Sequence, residues 1–264
     1  MELAAVALAW PRMEWPFLIQ WCQHLGQHGV RKVFLGEHWR SDRMWDKKPN
    51  AAYYHPHLDD RQINRAWREA IDIAERSLAI DRIPLPARLH RMGELQRWLF
   101  GHVHRFAQDE SIDWVLSCDL DEFPIPGRGM TLREFLIDLR WRRKQVAELR
   151  FKQIIFESRW DVFNDFQPRD LAMPSAYHPT VIPVTKYLYR PGHVYPSGAH
   201  RGDVVDPESR STIAPANRIL LHHFRGIETA CRSDLAVIQN LPCRASEPLK
   251  SVPFTRMIGS RSPD

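Results

Sequence analysis

Two short apolar runs, Leu3 to Trp10 (LAAVALAW) and Lys32 to Leu35 (KVFL), flank a segment whose apolar residues Phe17, Leu18, Trp21, Cys22 and Leu25 recur at helical spacing. Strand, helix and strand within some thirty-five residues make a βαβ unit, and its crossover forces the two strands to lie parallel. Pro11 closes the first run. Pro16 sits where a first helical turn accepts proline, which places the helix over Glu14 to His28, and Gly29 is a natural stop. The expected architecture is α/β with a mostly parallel central sheet.

The remaining chain continues this alternation. After the polar segment Gly36 to Asp42, residues 43 to 60 carry Pro49, Asn50, Tyr53, Tyr54 and Pro56, an irregular stretch long enough to suggest a functional loop. Ile63, Trp67, Ile71, Ala74 and Leu78 mark a helix, Ile80 to Leu85 a short strand, and Leu89 to Phe106 the apolar face of another helix. Thr131 and Glu134 stand in capping-box spacing at the head of a helix over 131 to 144, whose basic end Arg142-Arg143-Lys144 suits a helix C-terminus. Val146 to Phe156, Lys186 to Arg190 and Arg218 to Phe224 read as strands, 158 to 183 as loop-rich, and 227 to 241 as a last helix. No internal repeat is present. Residues 1 to 245 are expected to form one domain, with 246 to 264 as a loose tail.

The chemically distinctive stretch is Asp113 to Phe123 (DWVLSCDLDEF). Trp114 to Cys118 has the composition of a buried strand, and it ends abruptly in Asp119, Asp121 and Glu122. In extended backbone, residues two apart share a face, so Asp119 and Asp121 are expected to project together while Leu120 points inward. Pro124, Pro126 and Gly127 are expected to stop the strand. Two carboxylates on one face repel unless a positive charge lies between them, and a divalent cation with oxygen ligands is a common solution. The plainer alternative is a solvated acidic strand end.

Composition narrows the classes of function. Lys and Arg exceed Asp and Glu by five, which suits acidic ligands or a peripheral encounter with an anionic membrane. Nucleic acid is not expected, because net charge alone argues for it. Cys22, Cys118, Cys231 and Cys243 form no C-x-x-C pair and read as reduced thiols of a cytoplasmic protein. No run reaches the length of a membrane span, and Leu3 to Trp10 lacks the basic leader and cleavage site of a signal peptide.

The order of these motifs resembles the glycosyltransferase family 2-like proteins, in the branch near family 92. Glu14-Trp15, Gly29-Val30, Lys32 to Leu35 and Ser41-Asp42 match its N-terminal elements, and Trp114 with Asp119-Leu120-Asp121-Glu122-Phe123 matches its Asp-x-Asp-Glu-Phe signature. Lys186 to Pro191, His200 and His223-Phe224 match its later elements. The chain departs from the family at Trp10 to Glu14, where Lys-Asn-Glu is usual, and at Gly36-Glu37-His38, where Asp-Asn is usual.

The resemblance implies a Rossmann-like, A-type glycosyltransferase fold and transfer of a sugar, with inversion, from a UDP-type nucleotide sugar to a saccharide or glycoconjugate acceptor. It implies Mn²⁺ or Mg²⁺ held by Asp119, Asp121 and a histidine, with His223 the first choice and His200 the second. Asp42, Lys186, Arg190 and His200 are then expected at the substrate, and Glu157 or Asp161 as the base. Two other readings stand beside this one. A relative that binds sugar or nucleotide without turnover would keep the same fold. A zinc-dependent hydrolase would use His55, His57 and Asp60, whose spacing loosely resembles that of sugar deacetylases.

Overall fold

The computed structural model describes residues 1–39, 60–89, 91–138, 145–158, 176–215 and 218–226. Strand β1 (Leu3–Ala9) is buried along its whole length, as befits a strand covered by helices on both faces. Helix α1 (Pro11–Gln27) follows at once. Proline is tolerated at its head because the first N–H groups of a helix have no partner within it. The helix therefore begins before the expected Glu14, and Pro16 lies beyond its first turn. Its end is as expected: Gly29 takes a φ of +87°, and Val30 N–H returns to Leu25 O at 3.0 Å.

From β1 the sheet grows first in one direction and then in the other. β2 (Lys32–Glu37) pairs parallel to β1, and β3 (Ala79–Pro84) pairs parallel to β2, preceded by α2 (Asp60–Ala74). The long helix α3 (Met92–Asp109) then leads to β4 (Trp114–Ser117), which pairs parallel to the other side of β1. Two cores result. α1 and α2 bury Leu18, Trp21, Trp67 and Ile71 on one face of the sheet, and α3 buries Leu95, Leu99 and Val103 on the other.

The remaining elements extend this frame beyond β4. They are β5 (Glu122–Pro126), a 3-10 turn (Gly127–Gly129), α4 (Leu132–Asp138), β6 (Val146–Ser158) and β7 (Ala176–Tyr189). After them come β8 (Val194–Pro196), β9 (Gly202–Val204), β10 (Arg210–Ile213) and β11 (Ile219–Gly226). Among the described residues nine strands share one sheet, ordered β3-β2-β1-β4-β7-β6-β11-β5, with β10 also beside β6. Only β7 and β5 run against the rest, so the sheet is mostly parallel. β8 and β9 form a separate hairpin.

Two expectations about strands are corrected here, and proline explains both. Residues 176–183, expected to be loop, are the first part of β7; Pro179 and Pro183 lie where its register against β6 shifts, and such bulges accept a residue with no N–H. Pro124 and Pro126, expected to end a strand, lie inside β5. β5 is the last strand of the sheet and is laddered on one side only, which is where strand prolines are tolerated. The capping box is as expected: Glu134 N–H donates to Thr131 Oγ1 (3.1 Å) and Thr131 N–H to the Glu134 carboxylate (2.7 Å). The stretch 40–59, the end of that helix (139–144), the expected helix 227–241 and the tail 246–264 lie outside the described residues.

Candidate functional site

The strand order reverses between β1 and β4, and open α/β sheets bind ligands at such a point, beyond the carboxyl ends of their strands. The acidic stretch lies there. Its local shape differs from the expected extended strand. β4 ends at Ser117, and the chain turns through Asp119-Leu120-Asp121-Glu122, closed by Glu122 N–H donating to Asp119 O at 3.1 Å. Glu122 also accepts the Asp119 N–H at 2.8 Å, and Leu120 is buried. A side chain that caps the turn from within favours it over continued strand. Asp119 and Asp121 are thus the first and third residues of a reverse turn, while Leu120 points inward as expected.

The positive charge beside this turn is a lysine of the chain itself. Lys186 Nζ, carried on β7, lies 2.6 Å from Asp119 Oδ2 and 3.4 Å from Glu122 Oε2. The Lys186 side chain is 1% exposed, where that of Asp119 is 38% exposed. Burial works against the ammonium, but Asp119 and Glu122 outweigh it and hold the Lys186 pKa above the ordinary lysine value. The Cys118 thiol beside it is also buried; burial, and then the Glu122 charge, push its pKa well up, so it is an inert thiol at neutral pH.

A fourth carboxylate joins from α1. Glu14 accepts the Trp10 N–H at 2.6 Å, bonding back to the head of its own helix. Burial, followed by the negative charge of Asp121, raises the Glu14 pKa well above the carboxylate range; the Trp10 N–H opposes this and Asp119 adds to it. Sequence reasoning counted Glu122 among the acidic residues of this stretch but gave neither it nor Glu14 a role at the site. The available signal was a carboxylate in the first turn of the helix that follows the first strand.

α1 also fixes the turn from behind. Trp21 Nε1–H donates to Glu122 O (3.1 Å), and His24 Nε2 donates to Pro124 O (2.9 Å). These are carbonyls on the open side of the edge strand β5, so the helix satisfies groups the sheet leaves over. On the other face, Ser117 Oγ donates to Ala199 O (3.0 Å) and Tyr187 Oη to Gly198 O (2.7 Å), which brings the β8–β9 turn against the end of β4.

The other expected site residues separate into four groups. His223, in β11, is paired with Glu122 of β5 and with Ile155 of β6; Glu157, near the end of β6, is paired with Arg225. Their backbones therefore lie at the same edge of the sheet as the turn, while their side chains lie outside the described set. His200 is exposed in the β8–β9 turn, next to Ala199. Arg190 is separated from the site: it follows the end of β7, four residues and roughly 13 Å along the strand from Lys186, toward the amino edge, where its N–H donates to Ala147 O. Lys186 and Arg190 thus do not face one diphosphate together. Asp42 and Asp161 lie outside the described residues, as do His55 and His57; Asp60 begins α2 on the surface.

Asp119 and Asp121 are the residues here that could hold a divalent cation. Asp119 and Asp121 are hard oxygen donors of the kind Mg²⁺ and Mn²⁺ take, and they crowd a carboxyl already pushed toward its protonated form. Among the described residues no three ligating side chains close around one point.

No family model matches the chain, and no curated protein matches it in sequence. Several solved structures are similar at low identity. TarS of S. aureus in complex with UDP-GlcNAc matches 85% of this chain and 59% of its own, at 10% identity and a TM-score of 0.38. A second TarS structure is spanned over 47% of its length, so the chain covers about half of these proteins. A UDP-glucose pyrophosphorylase complexed with UDP-glucose matches over 72% of this chain and 76% of its own, at 10% identity and a TM-score of 0.34. HddC from Yersinia pseudotuberculosis matches over 81% and 90%, at 9% identity and a TM-score of 0.37. Likeness at this distance leaves the α/β architecture to be read from the strand order itself.

Proposed function

We propose that this chain is an A-type, metal-dependent glycosyltransferase that moves a sugar from a nucleotide-sugar donor, of the UDP type, to a hydroxyl of a saccharide or glycoconjugate. The observation that carries this reading is the position of Asp119 and Asp121: a carboxylate pair on a rigid turn at the reversal of strand order, where a nucleotide diphosphate would lie. Mn²⁺ or Mg²⁺ held by these two residues would supply Lewis-acid stabilisation of the leaving diphosphate, and His223, if it joins them, would favour Mn²⁺. Glu14 walls the site from α1, its carboxyl pushed toward the protonated form by burial and by the charge of Asp121. Inverting transfer requires a base for the acceptor hydroxyl. Glu157, one residue before the end of β6, and Asp161 beyond it are the candidates for that role.

The test is sugar transfer and donor hydrolysis with a panel of nucleotide sugars and Mn²⁺, using the wild type, Asp121→Asn, Glu157→Gln and Asp161→Asn. Asp121→Asn is expected to abolish turnover. One of the other two is expected to lower kcat by about 10²-fold or more while donor binding persists, the usual scale for loss of a general base. Turnover that survives Asp121→Asn would rule out the metal-assisted reading.

A further inference from the structure

We propose that Lys186 is a positioning residue of the acidic turn: its ammonium holds one oxygen of Asp119 from beneath, so that the other oxygen is the one presented to ligand. This inference rests on the nucleotide-sugar reading of the same turn. Asp119 Oδ2 is engaged at 2.6 Å by an ammonium with almost no exposure, while the Asp119 side chain as a whole remains 38% exposed. The pair therefore spans the protein boundary, with the cation inside and the carboxylate reaching outward.

The hold is twofold. Glu122 Oε2 lies 3.4 Å from Lys186 Nζ, and Glu122 also accepts the Asp119 N–H at 2.8 Å. Backbone and side chain of Asp119 are thus fixed to one buried charge centre. Lys186 itself is held in the sheet, paired with Phe151 of β6 and followed at once by Tyr187, which pairs with Ser117 of β4. Its neighbours Tyr187 and Leu188 are fully buried on opposite faces. The ammonium lies behind Asp119 and out of solvent, which is the geometry of a positioning group and not of direct ligand contact. Fixed supporting groups of this kind are what hold a metal or phosphate ligand within the narrow geometry that turnover needs.

The test combines amide hydrogen exchange with calorimetric titration of UDP in the presence of Mn²⁺, on the wild type, Lys186→Met and Lys186→Arg. Methionine keeps the apolar stem and removes the charge; arginine keeps the charge with a different head. Lys186→Met is expected to raise exchange in residues 118–123 at least tenfold while α3 keeps its protection, and to weaken UDP–Mn²⁺ binding at least tenfold. Lys186→Arg is expected to recover part of both. A folded Lys186→Met protein with unchanged exchange in the turn and unchanged affinity would overturn the proposal. Should Lys186→Met unfold throughout, Lys186→Arg decides: faster exchange confined to 118–123 supports positioning, and unchanged exchange refutes it. If the wild type binds no UDP with Mn²⁺, the UDP-type donor reading fails on its own, and exchange in the turn still settles the role of Lys186.

Discussion

Glu122→Gln is the sharpest probe of the charge centre under the acidic turn. Glutamine keeps the shape of Glu122 and retains an oxygen to accept the Asp119 N–H, so the change removes mainly the charge 3.4 Å from Lys186. With an effective dielectric constant of about 20, that pair is worth about 5 kcal/mol of gross Coulomb attraction. Burying a carboxylate costs several kcal/mol, which the variant recovers, and Lys186 keeps Asp119 as a partner. The net loss is therefore about 2 kcal/mol, equivalent to a fall in Tm of about 4–8 °C for a domain of this size. Urea denaturation is the assay: the midpoint should fall with the slope m unchanged. A loss below about 0.5 kcal/mol, the range of an ordinary surface substitution, would show that Glu122 and Lys186 are not coupled in the way described.

Two further predictions concern the scaffold. His28 Nδ1 accepts the Leu132 N–H at 3.2 Å, and burial, opposed by the nearby Glu134, lowers its pKa to about 4. The unfolded chain then binds the proton more tightly between about pH 4 and 6.5, so stability should rise with pH across that window by up to about 3 kcal/mol and level off above it. His28→Gln should flatten that portion of the stability curve measured by urea denaturation; an unchanged slope would refute the assignment. Gly36→Ala should destabilise by about 1–3 kcal/mol, because a Cβ there would lie 2.7 Å from a methyl carbon of the fully buried Leu99. An unchanged thermal midpoint would mean that α3 does not press on β2 as closely as that.

The first half of the sheet was legible in the sequence because its signals are strong and local. A continuous apolar run, a helical face and a glycine stop define β1, α1 and β2 with no knowledge of distant residues. β5 and the start of β7 were not legible, since Pro124, Pro179 and Pro183 read as breakers unless the edge position or the register shift is known. At the acidic stretch, the Asp-x-Asp spacing drew attention to Asp119 and Asp121 but did not give their conformation, because a strand and a tight turn share that spacing. The partner of Asp119 was hidden for a different reason. Lys186 reaches it only because β7 inserts beside β4 from far along the chain, a pairing that no local pattern encodes. Glu14 was visible as part of the Glu14-Trp15 element and as an acid in a first helical turn, but acids are common there in any helix, so its place beside the turn was not.

The most direct test of the transferase reading is a calorimetric titration of UDP, GDP, CDP and dTDP, with and without Mn²⁺, on the wild type and on Asp121→Ala. The expected result is that one nucleotide binds only with the metal and that Asp121→Ala loses this binding while its thermal unfolding remains cooperative. Binding that is indifferent to Mn²⁺ or to Asp121, or absent for all four nucleotides, would contradict it.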